Sequence, residues 1–322
     1  MLIGANLYAG PTVNVSVQPL ALLAKEICAD ACTIVTLVPR GSSEHSWQPG
    51  PKEVIKLKES VASIGVGLGF DNIWFEKIGV PARSVLMLGE SLSPMGWWSD
   101  DMTSPRASKA DSRRSGRDNA DHHSDRHEHK NIDKESQNDS QNDSHDHRQD
   151  HSKDQGADDP HVWTDAGRMS KAAELMADHL AVFIPSAAPA LKGRAKDISL
   201  RLLKLQLTVD ERRKTWRTRP VVMFHDVAGY FARRFNLPVL SVSSGAAGHD
   251  HSARMIANVA RRFKGVSVAA IMVEKEDGAA KSLARELKTT VKLADFAASR
   301  DYAKWDDWYL HLVNAWEDVL KS

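Results

Sequence analysis

The chain has 322 residues, of which 42% are hydrophobic and 26% are charged, and its formal net charge at pH 7 is +1. A net charge this close to zero excludes binding of nucleic acid through a strongly basic surface. No apolar run approaches the roughly 20 residues that span a bilayer. The length favours two lobes. Residues 1–10 are apolar but lack the basic start and the cleavage site of a signal peptide. They could be the remnant of a trimmed signal peptide or a leading coil, and do not by themselves predict export.

The first half of the chain alternates short β-rich runs with helical patterns. We predict four buried strands, at Val13–Val17, Thr33–Val38, Val61–Val66 and Ser84–Leu88. Helical patterns such as Leu20–Ala29 and Lys52–Glu59 lie between them. Cys28 and Cys32 are too few and too close for a disulfide framework. They are either one local disulfide, which would suit an oxidising compartment, or two small buried residues.

One segment differs in composition from everything around it. From about Ser99 to Asp159 the chain loses nearly all aliphatic residues and becomes rich in Asp, Ser, Asn, Gln, Arg and His. Such a stretch cannot bury enough apolar surface to offset its ordering entropy, so we predict disorder. Half of the 14 histidines fall in it: His122, His123, His127, His129, His145, His147 and His151. The clustering favours loose metal binding over a solvated linker whose histidines are incidental.

The second half of the chain repeats the alternation. Its predicted strands are Val221–Phe224, Val239–Val242, Val268–Val273 and Thr290–Leu293. Its helical patterns are Gly229–Phe235, Ser252–Phe263, Ala279–Leu287 and Asp306–Leu320. Between the halves, residues 186–215 form one long helical pattern that Ser186 can cap. Because alternating strands and helices make parallel sheets, we predict an α/β fold of two lobes, residues 1–185 and 218–322, joined by a rigid helix over 186–217.

Four candidate metal ligands stand at comparable places in the two halves. His45 follows the second strand, and His161 follows the fourth strand and the histidine-rich segment. His225 follows the first strand of the second half, and Asp295 follows its last strand. Open parallel sheets bind ligands beyond the carboxyl ends of their strands, so each lobe presents two candidates to one shared cleft. Three imidazoles and one carboxylate suit a four-coordinate zinc ion.

Other carboxylates compete for the fourth position. Glu44 adjoins His45, and Glu274 ends the strand before that of Asp295. We favour Asp295 over both. The remaining histidines outside the histidine-rich segment suit surface, packing or helix-end roles, although the 249–251 pair could form an accessory site: His179, His249, His251 and His311.

Several stretches resemble a known family. They are VSVQPLALLAKEI, LVPRGSSEHSWQPGPKEV, DDPHVWTDAGRM, PVVMFHDVAGYFARRF and VEKEDGAAKSLAREL followed by VKLAD. At these residues the chain resembles the metal-specific solute-binding proteins of ABC importers, the cluster A-I periplasmic zinc- and manganese-binding proteins. The resemblance implies two (β/α) lobes joined by a rigid helix, with the metal between them. It carries the family's ligands onto His45, His161, His225 and Asp295, and it includes a histidine-rich loop like that of zinc-type members.

The resemblance also bears on the metal. Manganese-type members usually place Glu where this chain has His225, and imidazole suits zinc while Mn²⁺ prefers oxygen. The chain departs from the family in two places. Lys275 and Glu276 replace the usual Pro-Gln, and residues 296–298 replace a Pro- and Gly-containing loop after Asp295. Some zinc-type members instead use the carboxylate beside the first histidine, here Glu44, or leave the position to water.

The function that the resemblance implies is capture of Zn²⁺ in the periplasm. The ion is then delivered to the inner-membrane permease and ATPase of an ABC importer by a monomer that catalyses no reaction. An Mn²⁺ or Fe²⁺ carrier of the same family is one alternative. A zinc-dependent hydrolase or lyase is another, since three histidines and a water form a catalytic arrangement. A fourth protein ligand and the lack of an HExxH motif argue against it. A metal-storage or adhesion protein is a third.

Overall fold

The computed structural model describes residues 10–96, 158–242 and 253–321, and a parallel four-stranded sheet lies in the first stretch. Its strands are β1 Thr12–Val15, β2 Thr33–Thr36, β3 Ala62–Gly65 and β4 Val85–Met87, in the order β2-β1-β3-β4. In this register Val13 pairs with Ile34 on one side and with Ala62 on the other. The four strands lie where the sequence pattern predicts them, each one or two residues shorter.

Four helices accompany this sheet: α1 Gln18–Cys28, α2 Pro51–Glu59, α3 Asn72–Ile78 and α4 Ala166–Phe183. Helix α1 buries Leu20, Leu23 and Ile27, a helical spacing that turns one apolar face inward. At its end Cys28 forms a disulfide with Cys32, which settles the two alternatives that the sequence left open. Helices α3 and α4 add to those that we predicted from the sequence.

A long helix, α5 Ala188–Arg213, connects the lobes. Its 26 residues measure about 39 Å at 1.5 Å per residue, somewhat shorter than the predicted pattern. The predicted cap is wrong, because Ser186 lies in a short 3-10 turn and Ala187 holds the position before the helix. No helix within the described residues, α5 included, is long and apolar enough to cross a membrane.

The second sheet repeats the topology of the first. Its strands are β5 Val221–Met223, β6 Val239–Ser241, β7 Ala270–Val273 and β8 Val291–Leu293, in the order β6-β5-β7-β8. Its helices are α6 Gly229–Arg234, α7 Ala253–Arg262, α8 Gly278–Leu287 and α9 Trp305–Leu320. All its strand pairs are parallel. The predicted fold class, two α/β lobes and a connecting helix, is therefore confirmed, while the domain boundaries stay a prediction.

One apolar core continues through both lobes. It includes Ile64 of the first sheet, Met223 of the second sheet and Trp308 of α9. A smaller cluster, with Phe263 and Ile271, covers the other face of the second sheet. Since moving the lobes apart would expose the shared apolar surface to water, the fold favours small motions about a nearly fixed cleft.

Charged groups reinforce this junction. Arg201 on α5 lies between two carboxylates, with its Nη2 2.6 Å from Glu26 Oε2 and its Nε 2.9 Å from Asp306 Oδ2. Glu26 also accepts a hydrogen bond of 3.1 Å from the backbone N–H of Trp305. Helices α1, α5 and α9 are thereby joined at one point, which fixes the end of the chain against the first lobe.

Candidate metal centre

Three histidines and one glutamate from both lobes meet at the cleft. Glu44 and His45 lie in the loop after β2, and His225 lies two residues after β5. His161 immediately precedes the 3-10 turn Val162–Thr164, which leads into α4. Parallel sheets gather the carboxyl ends of their strands at one edge, so loops distant in sequence converge there.

The potential ligand atoms are close together. One ligand atom from each of Glu44, His45, His161 and His225 lies within 4.8 Å of all the others. Among the described residues, no other group of three or more His, Cys, Asp or Glu side chains has its ligand atoms this close together. His45 Nε2 and His161 Nε2 are 3.1 Å apart, and Glu44 Oε1 is 3.7 Å from His161 Nε2. The three imidazole rings have centroids 5.0–5.1 Å apart, so they surround a common point.

Carboxylates orient two of the imidazoles from behind. Asp159 Oδ1 is 2.8 Å from His161 Nδ1, and Glu274 Oε2 is 3.1 Å from His225 Nδ1. When each Nδ1–H donates to its carboxylate, Nε2 carries the lone pair that faces the cluster. His225 Nε2 and Glu44 Oε1 are buried and have no hydrogen-bond partner among the described residues. Buried polar atoms normally have a partner, so these two suit a ligand supplied from outside the chain.

Aromatic side chains enclose the cluster. Trp163 packs edge-on against His161 at 5.0 Å, and Phe70 packs edge-on against His45 at 5.7 Å. Trp163 also donates a hydrogen bond of 3.1 Å from Nε1 to the carbonyl of Phe296, which lies in the loop after β8. These rings exclude water from one side of the cluster and strengthen its electrostatic interactions.

The charges of the cluster shift the pKa values of its members. Burial by itself raises the pKa of Glu44, but the nearby imidazoles of His161, His225 and His45 outweigh burial and lower the pKa to about 2. Burial lowers the pKa of His161, but Asp159 and Glu44 outweigh burial and raise it to about 9. Burial and the charge of Asp159 also raise the pKa of Asp226, the residue after His225, to about 7. The site therefore favours a bound cation.

Asp295 does not join the cluster, contrary to our expectation from the sequence. Its Oδ1 accepts hydrogen bonds from the backbone N–H and the hydroxyl of Ser299, at 2.7 and 2.9 Å. Its Oδ2 accepts from Tyr302 Oη at 2.9 Å and from the backbone N–H of Arg300 at 3.2 Å. The structure brings Glu44 to the three imidazoles instead, because the loop after β8 turns back upon the Asp295 carboxylate.

Two further histidines lie apart from the cluster. His179 Nε2 is 3.2 Å from the carbonyl of Ser84, and His311 packs beside Tyr302. The 249–251 pair and the seven histidines of the histidine-rich segment lie outside the described residues. Sequence reasoning missed Asp159 as the partner of His161, although the DDPH stretch places a carboxylate two residues before the ring.

Comparisons with known proteins agree with this fold. The model of the family described as "Zinc-uptake complex component A periplasmic" (ZnuA) matches residues 13–322. A crystal structure of ZnuA is 17% identical, with a TM-score of 0.69 over 97% of this chain and 99% of that one. A ZnuA deletion mutant with zinc bound is 19% identical, with a TM-score of 0.66 over 96% and 97%.

A further solved structure carries a different metal. The Mn-bound periplasmic metal-binding protein of candidatus Liberibacter asiaticus is 16% identical, with a TM-score of 0.67 over 96% of this chain and 98% of that one. At these identities the solved structures show a shared fold. No curated protein matches the sequence.

Proposed function

The chain belongs to the ZnuA family of periplasmic zinc-uptake components, and from that premise we propose that it captures Zn²⁺ in the cleft and delivers it to a membrane permease. Proteins of this family are the periplasmic, metal-binding components of ABC importers; they are solute-binding proteins and not enzymes.

The proposed ligands are Glu44, His45, His161 and His225. One observation carries this assignment: four donor atoms from two lobes lie within 4.8 Å of one another. Donors at about 2.0–2.1 Å from a tetrahedral zinc ion are separated from one another by about 3.3–3.4 Å. The distances of 3.1 Å between His45 and His161 and of 3.7 Å between Glu44 and His161 bracket that value. Small side-chain adjustments would therefore complete the coordination.

The donor chemistry favours zinc over manganese. Three imidazole nitrogens and one carboxylate oxygen suit Zn²⁺, whereas Mn²⁺ prefers oxygen donors and is bound more weakly by a given set of nitrogen ligands. The second carboxylate that would favour Mn²⁺ is absent from the described cluster, because the Asp295 oxygens are held within their own loop.

All four proposed ligands come from one chain, so the site needs no second copy, and we propose that the protein acts as a monomer. The same four residues lie outside the histidine-rich segment. We propose that this segment collects additional ions at weaker sites, because fixing flexible ligands around one ion costs conformational entropy.

Competition titration against a chromophoric chelator tests the choice of metal. We expect one tight Zn²⁺ site per chain and binding of Mn²⁺ that is weaker by at least about 100-fold. The variant His225→Glu exchanges a nitrogen donor for an oxygen donor at the same position. It should reduce the difference in affinity between Zn²⁺ and Mn²⁺. Equal or tighter binding of Mn²⁺ by the wild-type protein would overturn the zinc assignment.

A further inference from the structure

The first helix of the second lobe, α6, begins against the loop that carries His161. The buried hydroxyl of Tyr230 donates a hydrogen bond of 2.7 Å to the carbonyl of Asp159 and accepts one of 3.1 Å from the backbone N–H of Met95. Met95 in turn accepts a bond of 2.8 Å from the backbone N–H of Asp159. One side chain of the second lobe thus ties together two stretches of the first lobe, just beside a proposed ligand.

Gly229, the residue before Tyr230, allows the two lobes to approach this closely. A Cβ atom at position 229 would lie 2.3 Å from Asp159 Oδ2, far inside any normal contact. A side chain at position 229 would therefore have to displace the Asp159 carboxylate. Its neighbour Asp159 uses the other oxygen, Oδ1, to accept from the backbone N–H of His161 at 2.9 Å and to contact His161 Nδ1 at 2.8 Å.

These contacts leave the Asp159 carboxylate little freedom. Oδ1 is held by two groups of His161, Oδ2 faces the backbone of α6, and the main chain is held by Tyr230 and Met95. Rotation of the carboxylate to make room at Oδ2 would move Oδ1 away from His161 Nδ1. The direction of the imidazole therefore depends on where α6 lies.

We propose that Gly229 and Tyr230 are positioning residues, which hold Asp159 so that His161 directs Nε2 at the metal. This inference rests on the proposed function, since it assumes that His161 is a ligand. The contact between the lobes is then part of the metal site, because a helix of the second lobe sets the orientation of a ligand in the first lobe. Outer partners of metal-bound histidines typically account for 10–100-fold in affinity.

The test compares two glycines that each open a helix. Gly229→Ala adds a methyl group against Asp159, whereas Gly278→Ala adds the same group at the first residue of α8, where nothing lies within 4 Å. The first readout is the ¹⁵N and ¹H NMR signal of the His161 ring in the metal-free protein. The second is the Zn²⁺ affinity from chelator competition.

We expect Gly229→Ala to shift or broaden the His161 Nδ1–H signal and to weaken Zn²⁺ binding by about 10–100-fold. Gly278→Ala should leave both unchanged. Asp159→Asn keeps an oxygen that can accept from Nδ1–H, so it should retain the ring signal better than Asp159→Ala does. A role in stability alone would lower the melting temperature of Gly229→Ala without moving the ring signal.

An unchanged His161 signal in folded Gly229→Ala would overturn the proposal. If that variant fails to fold, the same His161 signal is measured in Tyr230→Phe, which removes one hydroxyl, with Tyr302→Phe as its control. An unchanged signal in Tyr230→Phe would likewise overturn the proposal. A shifted ring signal with unchanged Zn²⁺ affinity would uphold the positioning of His161 and overturn its role as a ligand. The two failures are therefore distinguishable.

Discussion

The loop after β2 and the loop after β8 each carry a carboxylate near the cleft, but they use it differently. Glu44 Oε1 is buried, has no hydrogen-bond partner among the described residues and lies 3.7 Å from His161 Nε2. Asp295 is almost as buried, yet both of its oxygens accept hydrogen bonds from residues four to seven positions further along its own loop.

Position at a strand end therefore does not by itself bring a carboxylate oxygen to the imidazole cluster. A carboxylate has a limited number of lone pairs, and hydrogen bonds within the loop compete with a metal for them. Asp295 would have to give up bonds from Ser299 and Tyr302 to reach an ion. Glu44 gives up no such bonds, so the metal-free protein already presents its oxygen to the cluster.

The largest expected effect comes from removing a histidine of the cluster. His161→Ala should weaken Zn²⁺ binding by at least about 100-fold, because it removes one of four donors and leaves Asp159 and Glu44 buried without their partner. Chelator competition measures the change. His179→Ala, a partly buried histidine outside the cluster, is the control and should bind as wild type does. Similar Zn²⁺ affinities of the two variants would show that His161 is not a ligand.

A pair of isosteric changes tests the different roles of the carboxylates in the two loops. Glu44→Gln should weaken Zn²⁺ binding by about 10–100-fold, because a neutral amide replaces the anionic donor. Asp295→Asn should leave the affinity within about threefold, since its oxygens already serve the loop. The same titration measures both. The reverse pattern would return the fourth position to Asp295, and no effect in either variant would assign it to water.

The sequence predicted the general arrangement but not this detail. Alternating patterns placed the eight strands of the described residues, and strand ends placed His45, His161 and His225 in one cleft, because both follow from periodicity and from the geometry of parallel sheets. The choice between Glu44 and Asp295 depends on how residues 295–302 fold back, which is a tertiary property. The same holds for Glu274, which is a candidate ligand in the sequence and in the structure contacts His225 Nδ1.

The affinity should also depend on pH in a range that His161 determines. Burial opposes protonation, but Asp159 and Glu44 raise its folded pKa to about 9, above the unfolded value of about 6.5. Since zinc needs the neutral ring, binding near pH 7 should release a proton, and the apparent Kd should rise about tenfold per pH unit below 9. Titrations in buffers from pH 7 to 9 measure this slope. A flat affinity across the range would contradict the assignment.

The same pKa has a consequence for the metal-free fold. Because the folded pKa of His161 lies above the unfolded value, its contribution to stability is fully present below about pH 6.5 and is lost as the pH rises through about 9. Bound zinc replaces the proton, so the zinc-loaded protein should not show this loss. Thermal unfolding of both forms separates the two cases.

Asp295 should instead act on stability. Asp295→Asn leaves some donors of the loop without an acceptor, which typically costs about 1–3 kcal/mol of unfolding free energy. Denaturant unfolding of the metal-free protein measures the loss. Asp301→Asn, an exposed position in the same loop, provides a control that should change stability by less than about 0.5 kcal/mol. A fully stable Asp295→Asn variant would mean that the loop does not depend on this carboxylate.

The smallest expected effect on the tight site comes from the histidine-rich segment. Deleting residues 118–154 removes its seven histidines, but none of the four residues of the cluster. The total number of bound zinc ions should fall, while the affinity of the tightest site stays within about threefold, because loop length adds little closure entropy. Calorimetry on both proteins separates the classes of site. Loss of the tight site would show that the segment supplies a primary ligand.

The most direct test of the central claim is the position of the metal itself. Crystals of the zinc-loaded protein, measured on either side of the zinc absorption edge, would give an anomalous peak at each ion. The account predicts one strong peak between the lobes, about 2.0–2.2 Å from Glu44 and from the Nε2 atoms of His45, His161 and His225. A peak coordinated by Asp295, or a principal site away from these three imidazoles, would contradict it.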